Sequence, residues 1–110
     1  MSVKKRNISF KSADGKTQIA AYLYTDDAIS PKAVVQLSHG MCEYIGRYDY
    51  FAAYLCGLGF AVCGNDHLGH GDSAKNGTLG YFADRGGAEM VLEDLHSMNS
   101  IAHEQFPQIP

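Results

Sequence analysis

Two stretches of the chain hold the residues whose types and spacing could do chemistry. They are SHGMCEYIGRY, at residues 38–48, and NDHLGHGDS, at residues 65–73, and each follows an apolar run. Both contain histidine, the side chain best suited to proton transfer and metal binding near neutral pH. Both also contain glycine, which lets a backbone turn sharply and approach a ligand closely. We therefore treat the two stretches as parts of one candidate site.

The second stretch matches two catalytic or cofactor motifs only in part. Residues 69–74 fit the Gly-x-Gly-x-x-Ala fingerprint of dinucleotide sites, but the fingerprint needs a helix to begin there, and Lys-Asn-Gly at residues 75–77 prevents one. A nucleophilic serine would stand in Gly-x-Ser-x-Gly, whereas Ser73 has Lys75 where the last glycine belongs. Neither motif therefore predicts the chemistry of this stretch.

A metal site is a third interpretation, because Asp66, His67, His70 and Asp72 all carry metal-binding side chains. No helix places both histidines on one face, and a further ligand would have to come from elsewhere in the chain. We therefore expect no metal and no other cofactor. The interpretation that remains is a structural loop beneath an active site, in which Asp66, His70 and Ser73 bond to backbone groups.

The apolar runs before the two stretches predict neighbouring strands of an α/β sheet. Residues 33–38 and 60–64 are continuous apolar strands of the kind that is covered on both faces. The helix between them has its apolar residues at helical spacing: Tyr48, Phe51, Ala52 and Leu55. Strand, helix and strand in this order imply parallel pairing through a right-handed crossover. Sites in such sheets form at the carboxyl ends of the strands, where both stretches lie.

The flanking elements extend this unit on both sides. Residues 5–11 and 17–25 alternate as the strands of a hairpin, with a tight turn at residues 13–16. A glycine-rich loop leads to a last helix over residues 87–105, whose apolar stripe is Val91, Leu95, Met98 and Ile101/Ala102. Since this helix has no strand to return to, residues 1–110 are predicted to be the amino-terminal half of one α/β domain, incomplete by itself.

Composition excludes several classes of function. With 45% hydrophobic and 19% charged residues, the chain is typical of globular domains and not of disordered segments. A net charge of −3 leaves no footprint for nucleic acid. No apolar run reaches the about 18 residues of a transmembrane helix, and residues 1–10 lack the apolar core of a signal peptide, so we expect a cytoplasmic protein. Cys56 and Cys63 are predicted to be buried thiols, whereas Cys42 lies in a turn.

Residues 37–73 resemble the amino-terminal part of the monoacylglycerol lipase and lysophospholipase group of α/β hydrolases. The motifs that carry the resemblance are the His39-Gly40 pair, Glu43, Gly46-Arg47-Tyr48 and the run from Asp66 to Ser73. In element order the resemblance extends over the whole chain. The chain departs from the group at Cys42, where glycine is most common. The resemblance implies the α/β-hydrolase fold, with an antiparallel hairpin followed by parallel strands and crossover helices.

The resemblance also implies a role for the loop after the strand at residues 33–38. In hydrolases of this group that loop gives one backbone N–H to the oxyanion hole, beside the N–H that follows the nucleophile. The matching position is Met41. Residues of both stretches would support the loop: His39, Gly40, Cys42, Glu43, Asp66, His70 and Ser73. Taken without the resemblance, His39 could be a buried core histidine and Gly40 a simple strand terminator.

The catalytic serine itself is missing. No Gly-x-Ser-x-Gly occurs in the 110 residues, and in this fold the serine, acid and histidine follow in that order after the second crossover helix. A parallel sheet cut at its centre would expose a long unpaired edge. We therefore expect a piece of a longer hydrolase, completed by a continuation or by a second chain, and we expect these 110 residues alone to be inactive.

Three functions remain open on the sequence. The leading one is a serine hydrolase that cleaves carboxylic esters of acylglycerols or lysophospholipids, with a small lipid or ester molecule as substrate. The runner-up is a hydrolase of the same fold that acts on another ester or amide. The third is a protein of a different class, either a non-catalytic scaffold or binding domain or a metal-dependent hydrolase.

Overall fold

The computed structural model of the chain describes residues 3–40, 43–74 and 86–110. The strands and helices in these ranges are β1 Val3–Lys11, β2 Gln18–Asp26, β3 Ala33–Leu37, α1 Asp49–Gly57, β4 Phe60–Asn65 and α2 Gly87–Gln105. Single 3₁₀ turns at Ile45–Tyr48 and Gly71–Ala74 precede α1 and follow β4. The predicted strands and the last helix are confirmed, with ends that differ by two residues or fewer.

The four strands form one mixed sheet in the order β1-β2-β4-β3. β2 runs antiparallel to both β1 and β4, whereas β3 and β4 are parallel and joined through α1. The β1–β2 hairpin turns at Gly15, whose φ of 80° is a conformation that suits glycine. The arrangement confirms the predicted α/β class: a hairpin, then parallel strands with a crossover helix.

The alternation of side chains along the strands divides the core between the two faces of the sheet. The cluster under α1 consists of Tyr22, Tyr24, Ile45, Ala52, Cys56 and Val62. The cluster under α2 consists of Ala21, Leu23, Cys63, Met98 and Ala102. Each cluster contains one of the two buried thiols that the sequence predicted. Burial raises the pKa of Cys63 to about 11, which keeps that thiol protonated and unreactive.

The buried face of α1 differs from its prediction. Phe51 was expected on that face, but its side chain is 47% exposed. The helix packs on the sheet through Ala52, Leu55 and Cys56 instead. Tyr48, the first residue of the predicted pattern, belongs to the preceding 3₁₀ turn. A 3₁₀ helix has about three residues per turn, whereas an α-helix has about 3.6. The 3₁₀ turn therefore rotates Tyr48 relative to the residues of α1, so that a helical spacing counted from Tyr48 does not identify the buried face of α1.

β3 is also less covered than predicted. All five of its residues are only partly buried, because β3 lies at the edge of the sheet and pairs with β4 on one side. On the other side, the backbone N–H of Val34 donates to the carbonyl oxygen of Pro110 at 2.7 Å. This edge is therefore open along most of its length in the described part of the chain.

Candidate active-site loops

The two predicted stretches leave the sheet side by side. β3 and β4 are parallel neighbours, with Leu37 opposite Gly64 in the register. Ser38 and Asn65, the next residues of the two segments, therefore stand at the same edge of the sheet. From there the chain continues into the two loops, of which the described parts are residues 38–40, 43–44 and 66–74.

His39 joins the two loops. Its Nε2 accepts a hydrogen bond from the backbone N–H of His67 at 2.9 Å, and its Nδ1 lies 2.7 Å from the carbonyl oxygen of Gly40. Only a neutral imidazole with its proton on Nδ1 makes both bonds. Burial lowers the pKa of His39, so the neutral form that this geometry requires is also the form that its surroundings favour.

Glu43 holds the first loop from its other side. Its Oε1 accepts hydrogen bonds from the backbone N–H of Gly40 and from the hydroxyl of Tyr48, both at 2.7 Å. The bond from Tyr48, followed by the bond from Gly40, lowers the pKa of Glu43. The ionised carboxylate is therefore an acceptor that fixes Gly40. Met41 and Cys42, the predicted oxyanion donor and its neighbour, lie outside the described residues.

Asp66 ties the second loop to the first. Its Oδ1 accepts from the backbone N–H of Ile45 at 2.8 Å, and its Oδ2 accepts from the backbone N–H of Asp72 at 3.0 Å. The hydroxyl of Tyr22 lies 3.2 Å from the same Oδ2. Gly71, at a φ of 49°, passes so close that a Cβ there would collide with the carboxylate. A buried acid with these partners organises the backbone around it.

Ser73 and His70 are engaged within the second loop. The Oγ of Ser73 donates to the carbonyl oxygen of Asp66 at 2.7 Å and accepts from the backbone N–H of Ala20 at 2.9 Å. The side chain of Ser73 is buried, and its hydroxyl bonds to two backbone groups of the protein. The Nδ1 of His70 lies 2.8 Å from the carbonyl oxygen of Leu68.

The histidines of the two loops form a cluster. The ring centroid of His39 lies 4.1 Å from that of His67 and 5.2 Å from that of His70. No group of three or more metal-binding side chains is arranged for an ion within the described residues. The nitrogens of His39 and the oxygens of Asp66 are already bonded to protein groups, as given above. Residues 75–77, which bear on the dinucleotide interpretation, lie outside the described ranges.

The partners of these loops were not apparent in the sequence. Tyr22 and Ala20 come from β2, more than forty residues before Asp66 and Ser73. Tyr22 also donates to Asp72 at 2.8 Å. Only the antiparallel pairing of β2 with β4 brings these groups to the second loop. The sequence gives one local signal for these partners, the alternation of side chains along β2. It places Tyr22 and Ala21 on opposite faces of the sheet.

Comparisons with known proteins identify one family, several relatives and similar solved structures. The family model of serine aminopeptidases, S33, matches residues 29–110. Protein K6 of vaccinia virus is 44% identical over 52 residues, 47% of this chain and 64% of that protein. Monoglyceride lipase of Rattus norvegicus is 31% identical over 107 residues, 90% of this chain and 30% of that lipase. A thermostable carboxyl esterase of Bacillus coagulans superposes with a TM-score of 0.88 at 34% identity.

The chain is shorter than these relatives. The superposition on the esterase covers 96% of this chain but 34% of the esterase, and the match to vaccinia K6 covers 64% of the viral protein. The chain thus spans about a third of the longer lipases and esterases. Among the described residues, no helix is long and apolar enough to cross a membrane.

Proposed function

Since the chain belongs to the serine aminopeptidase S33 family of hydrolases, we propose that it is the amino-terminal part of a serine hydrolase that cleaves carboxylic esters of acylglycerols or lysophospholipids. The observation that carries the proposal is the pair of loops at the carboxyl ends of β3 and β4, joined by the bond from His67 to His39. The similarity to a monoglyceride lipase and to a carboxyl esterase supports an ester as the substrate class.

In the proposed mechanism, a serine outside this chain attacks the ester carbonyl, with its acid and histidine partners also outside the chain. The carbonyl oxygen becomes negative, and the backbone N–H of Met41 donates to it beside the N–H that follows the serine. One such donor contributes about 2.7–4 kcal/mol to the stability of the transition state. The side chain of Met41 is then available to line the acyl site.

The described part of the first loop supports this role through the residue before Met41. The N–H of Gly40 is held by Glu43, and its carbonyl oxygen by His39. A backbone held at both groups needs little reorganisation when charge develops, and such preorganisation is the source of oxyanion stabilisation. We propose that His70, Asp66 and Ser73 support the loop from below through the bonds described for the second stretch.

We further propose that another strand completes the sheet at the open edge of β3. The backbone N–H of Val34 donates to the carbonyl oxygen of Pro110 on this edge. A neighbouring strand would make hydrogen bonds to β3 on the same edge. A cleft between β3 and α2 lies beside it, lined by residues that include Gln36, Asn99 and His103. The partner is the remainder of a hydrolase domain, present either as a continuation of the chain or as a second chain.

Neither metal nor cofactor enters the proposed reaction, and the proposed location is the cytoplasm.

Two observations favour second candidates. The description of the matching family as serine aminopeptidases favours an amide as the alternative substrate. Vaccinia K6, of which the match covers 64%, is itself a short relative, and this favours a non-catalytic scaffold. Hydrolysis of a monoacylglycerol and of an aminoacyl amide, measured side by side on the completed enzyme, distinguishes ester from amide cleavage.

Activity by complementation tests the proposal. The 110-residue chain alone should not hydrolyse a short p-nitrophenyl ester, because it contains no serine in a nucleophile motif. Co-expression with the carboxyl-terminal two thirds of a similar monoglyceride lipase should give hydrolysis of that ester and of a monoacylglycerol. Replacement of the serine in that added segment should abolish the gain. Turnover by the chain alone that Ser73→Ala abolishes would contradict the proposal, and so would a folded complex of the two parts without any activity.

A further inference from the structure

Asn65, the last residue of β4, has a fully buried side chain without a hydrogen-bond partner. Its exposed fraction is 0%, and neither Nδ2 nor Oδ1 has a hydrogen-bond partner in the part of the chain that the structure describes. Asn65 lies opposite Ala21 in the sheet and two residues after Cys63, so its side chain is on the face that α2 covers. Buried polar atoms nearly always have partners, and each exception calls for an explanation.

His67 presents a third unpaired atom close by. Its Nε2 lies 3.3 Å from the Oγ of Ser38, and its backbone N–H bonds to His39. Its Nδ1, in contrast, is buried without a partner. Because His67 follows Asn65 by two residues, their Cα atoms are at most about 7 Å apart. The two polar atoms of the Asn65 amide and Nδ1 of His67 thus belong to residues that are near neighbours at the end of β4.

We propose that Asn65 and His67 form a binding site for one buried water molecule. Water both donates and accepts, so it matches the amide oxygen, the amide nitrogen and the imidazole nitrogen, and buried waters typically have about three such partners. Two hydrogen bonds of about 2.8 Å let one water bridge atoms up to about 5.6 Å apart, within the reach of two side chains so close in sequence. A larger ligand would need an opening, and the side chains are 0% and 6% exposed.

This water makes Asn65 a positioning residue, a consequence that rests on the proposed function. The water fixes the ring of His67 from Nδ1 while Ser38 meets it at Nε2. The backbone of His67 holds His39, and His39 holds the carbonyl of Gly40 next to the proposed oxyanion donor. A chain of hydrogen bonds thus extends from Asn65 to the first loop without a contact between Asn65 and the substrate.

Thermal unfolding of the full-length protein with Asn65→Leu tests the site. Leucine has the same branched arrangement of four side-chain heavy atoms as asparagine but no polar atoms. If a water is bound, the substitution removes the amide partners of that water and breaks the bridge to His67, and the unfolding midpoint should fall by about 2–4 °C, the range for a protein longer than these 110 residues. If the amide has no partner at all, leucine should leave the midpoint unchanged or raise it, which would overturn the proposal.

Gln36→Leu is the matched control. Gln36 lies opposite Cys63 in the register and therefore on the same face as Asn65, in the neighbouring strand. Its amide has partners within the protein, since Nε2 donates to the carbonyl of Leu95 at 2.9 Å and Oε1 accepts from Asn99 at 3.1 Å. Replacement of this amide should lower the unfolding midpoint, and the size of that fall calibrates the effect of removing a bonded amide on this face of the sheet.

Two further measurements separate a water from other occupants. The ¹⁵N resonances of the His67 ring should change in Asn65→Leu and stay as they are in Gln36→Leu, because only the former removes the bridge to Nδ1. A crystal structure of the unaltered protein should contain a water bonded to Asn65 and His67. A protein group in that place, or an empty cavity, would refute the site. Neither measurement depends on hydrolysis. A negative result for the water site is therefore distinct from a failure of the proposed function.

Discussion

His39 illustrates how a single side chain sets the geometry of this site. One ring nitrogen is bonded to the carbonyl of its own neighbour Gly40, and the other is bonded to the backbone of the second loop. Because the second bond needs an unprotonated nitrogen, a proton on His39 would break the link between the loops. The burial that lowers the pKa of His39 therefore protects the link at neutral pH.

At the same scale, Met41 provides the most direct test of the proposed oxyanion loop. In the complete enzyme, Met41→Pro should lower kcat by about a hundredfold or more, since proline removes the N–H and also restrains Gly40 before it. Met41→Ala keeps the N–H, so it should keep most of kcat and mainly alter acyl preference. Kinetics on p-nitrophenyl esters of different chain length measure both effects. Equal losses in the two variants would contradict the assignment to the backbone.

At the scale of elements, the two helices are attached to the sheet by different means. α1 packs through small apolar groups such as Ala52 and Cys56. α2 adds a polar clamp to its apolar contacts, because Asp94 in its buried face accepts from the Oγ of Ser12 and from the backbone N–H of Ala13, both at 2.7 Å. Burial raises the pKa of Asp94, and the two hydrogen bonds oppose that rise. The clamp ties the hairpin turn to the last helix.

Asp94→Ala should lower the free energy of unfolding by about 2–3 kcal/mol, because it leaves the donors at Ser12 and Ala13 unpaired. The matched control is Glu93→Ala, which removes the neighbouring exposed acid and should change stability by about 0.5 kcal/mol or less. Urea unfolding of the two variants and the parent measures the difference. Similar values for Asp94→Ala and Glu93→Ala would mean that the clamp contributes no stability.

At the scale of the whole molecule, the buried histidines couple stability to pH. Burial, followed by the nearby His39, lowers the pKa of His67 to about 4 from its ordinary 6.5, and the pKa of His39 is lowered as well. The groups around them are His70, the carboxylate of Asp66 and, beside His39, Glu43. Between pH 6.5 and 4 the unfolded chain binds more protons at these sites than the folded protein does.

Stability should therefore be fully present above pH 6.5 and should fall as the pH is lowered toward 4. Urea unfolding at intervals across this range measures the slope. His67→Gln removes one of the titrating groups and should flatten the slope, whereas His103→Gln, at an exposed site near the end of α2, should retain the slope of the parent. Stability that rises on acidification across this window, or a slope unaffected by His67→Gln, would contradict the assignment.

Much of the fold was predictable because its signals are local. The alternation in β2, the apolar runs of β3 and β4 and the stripe of α2 are properties of short segments, and the last helix has the predicted bounds of residues 87–105. The two loops were also predictable as neighbours, since parallel strands end at the same edge of a sheet. Their resemblance to a group of hydrolases agrees with the family that the chain matches.

The pairing of distant polar groups was decided only by the tertiary structure. Asp94 meets Ser12 across 82 positions of sequence, and Tyr22 meets Asp72 across 50. Neither pair follows from a periodic pattern, because strand register and the placement of a helix on a sheet determine which side chains meet. The exposure of Phe51 and the unpaired amide of Asn65 have the same origin. The sequence by itself determined which elements form and where the loops leave them, whereas three-dimensional packing decided which buried polar atoms have a partner.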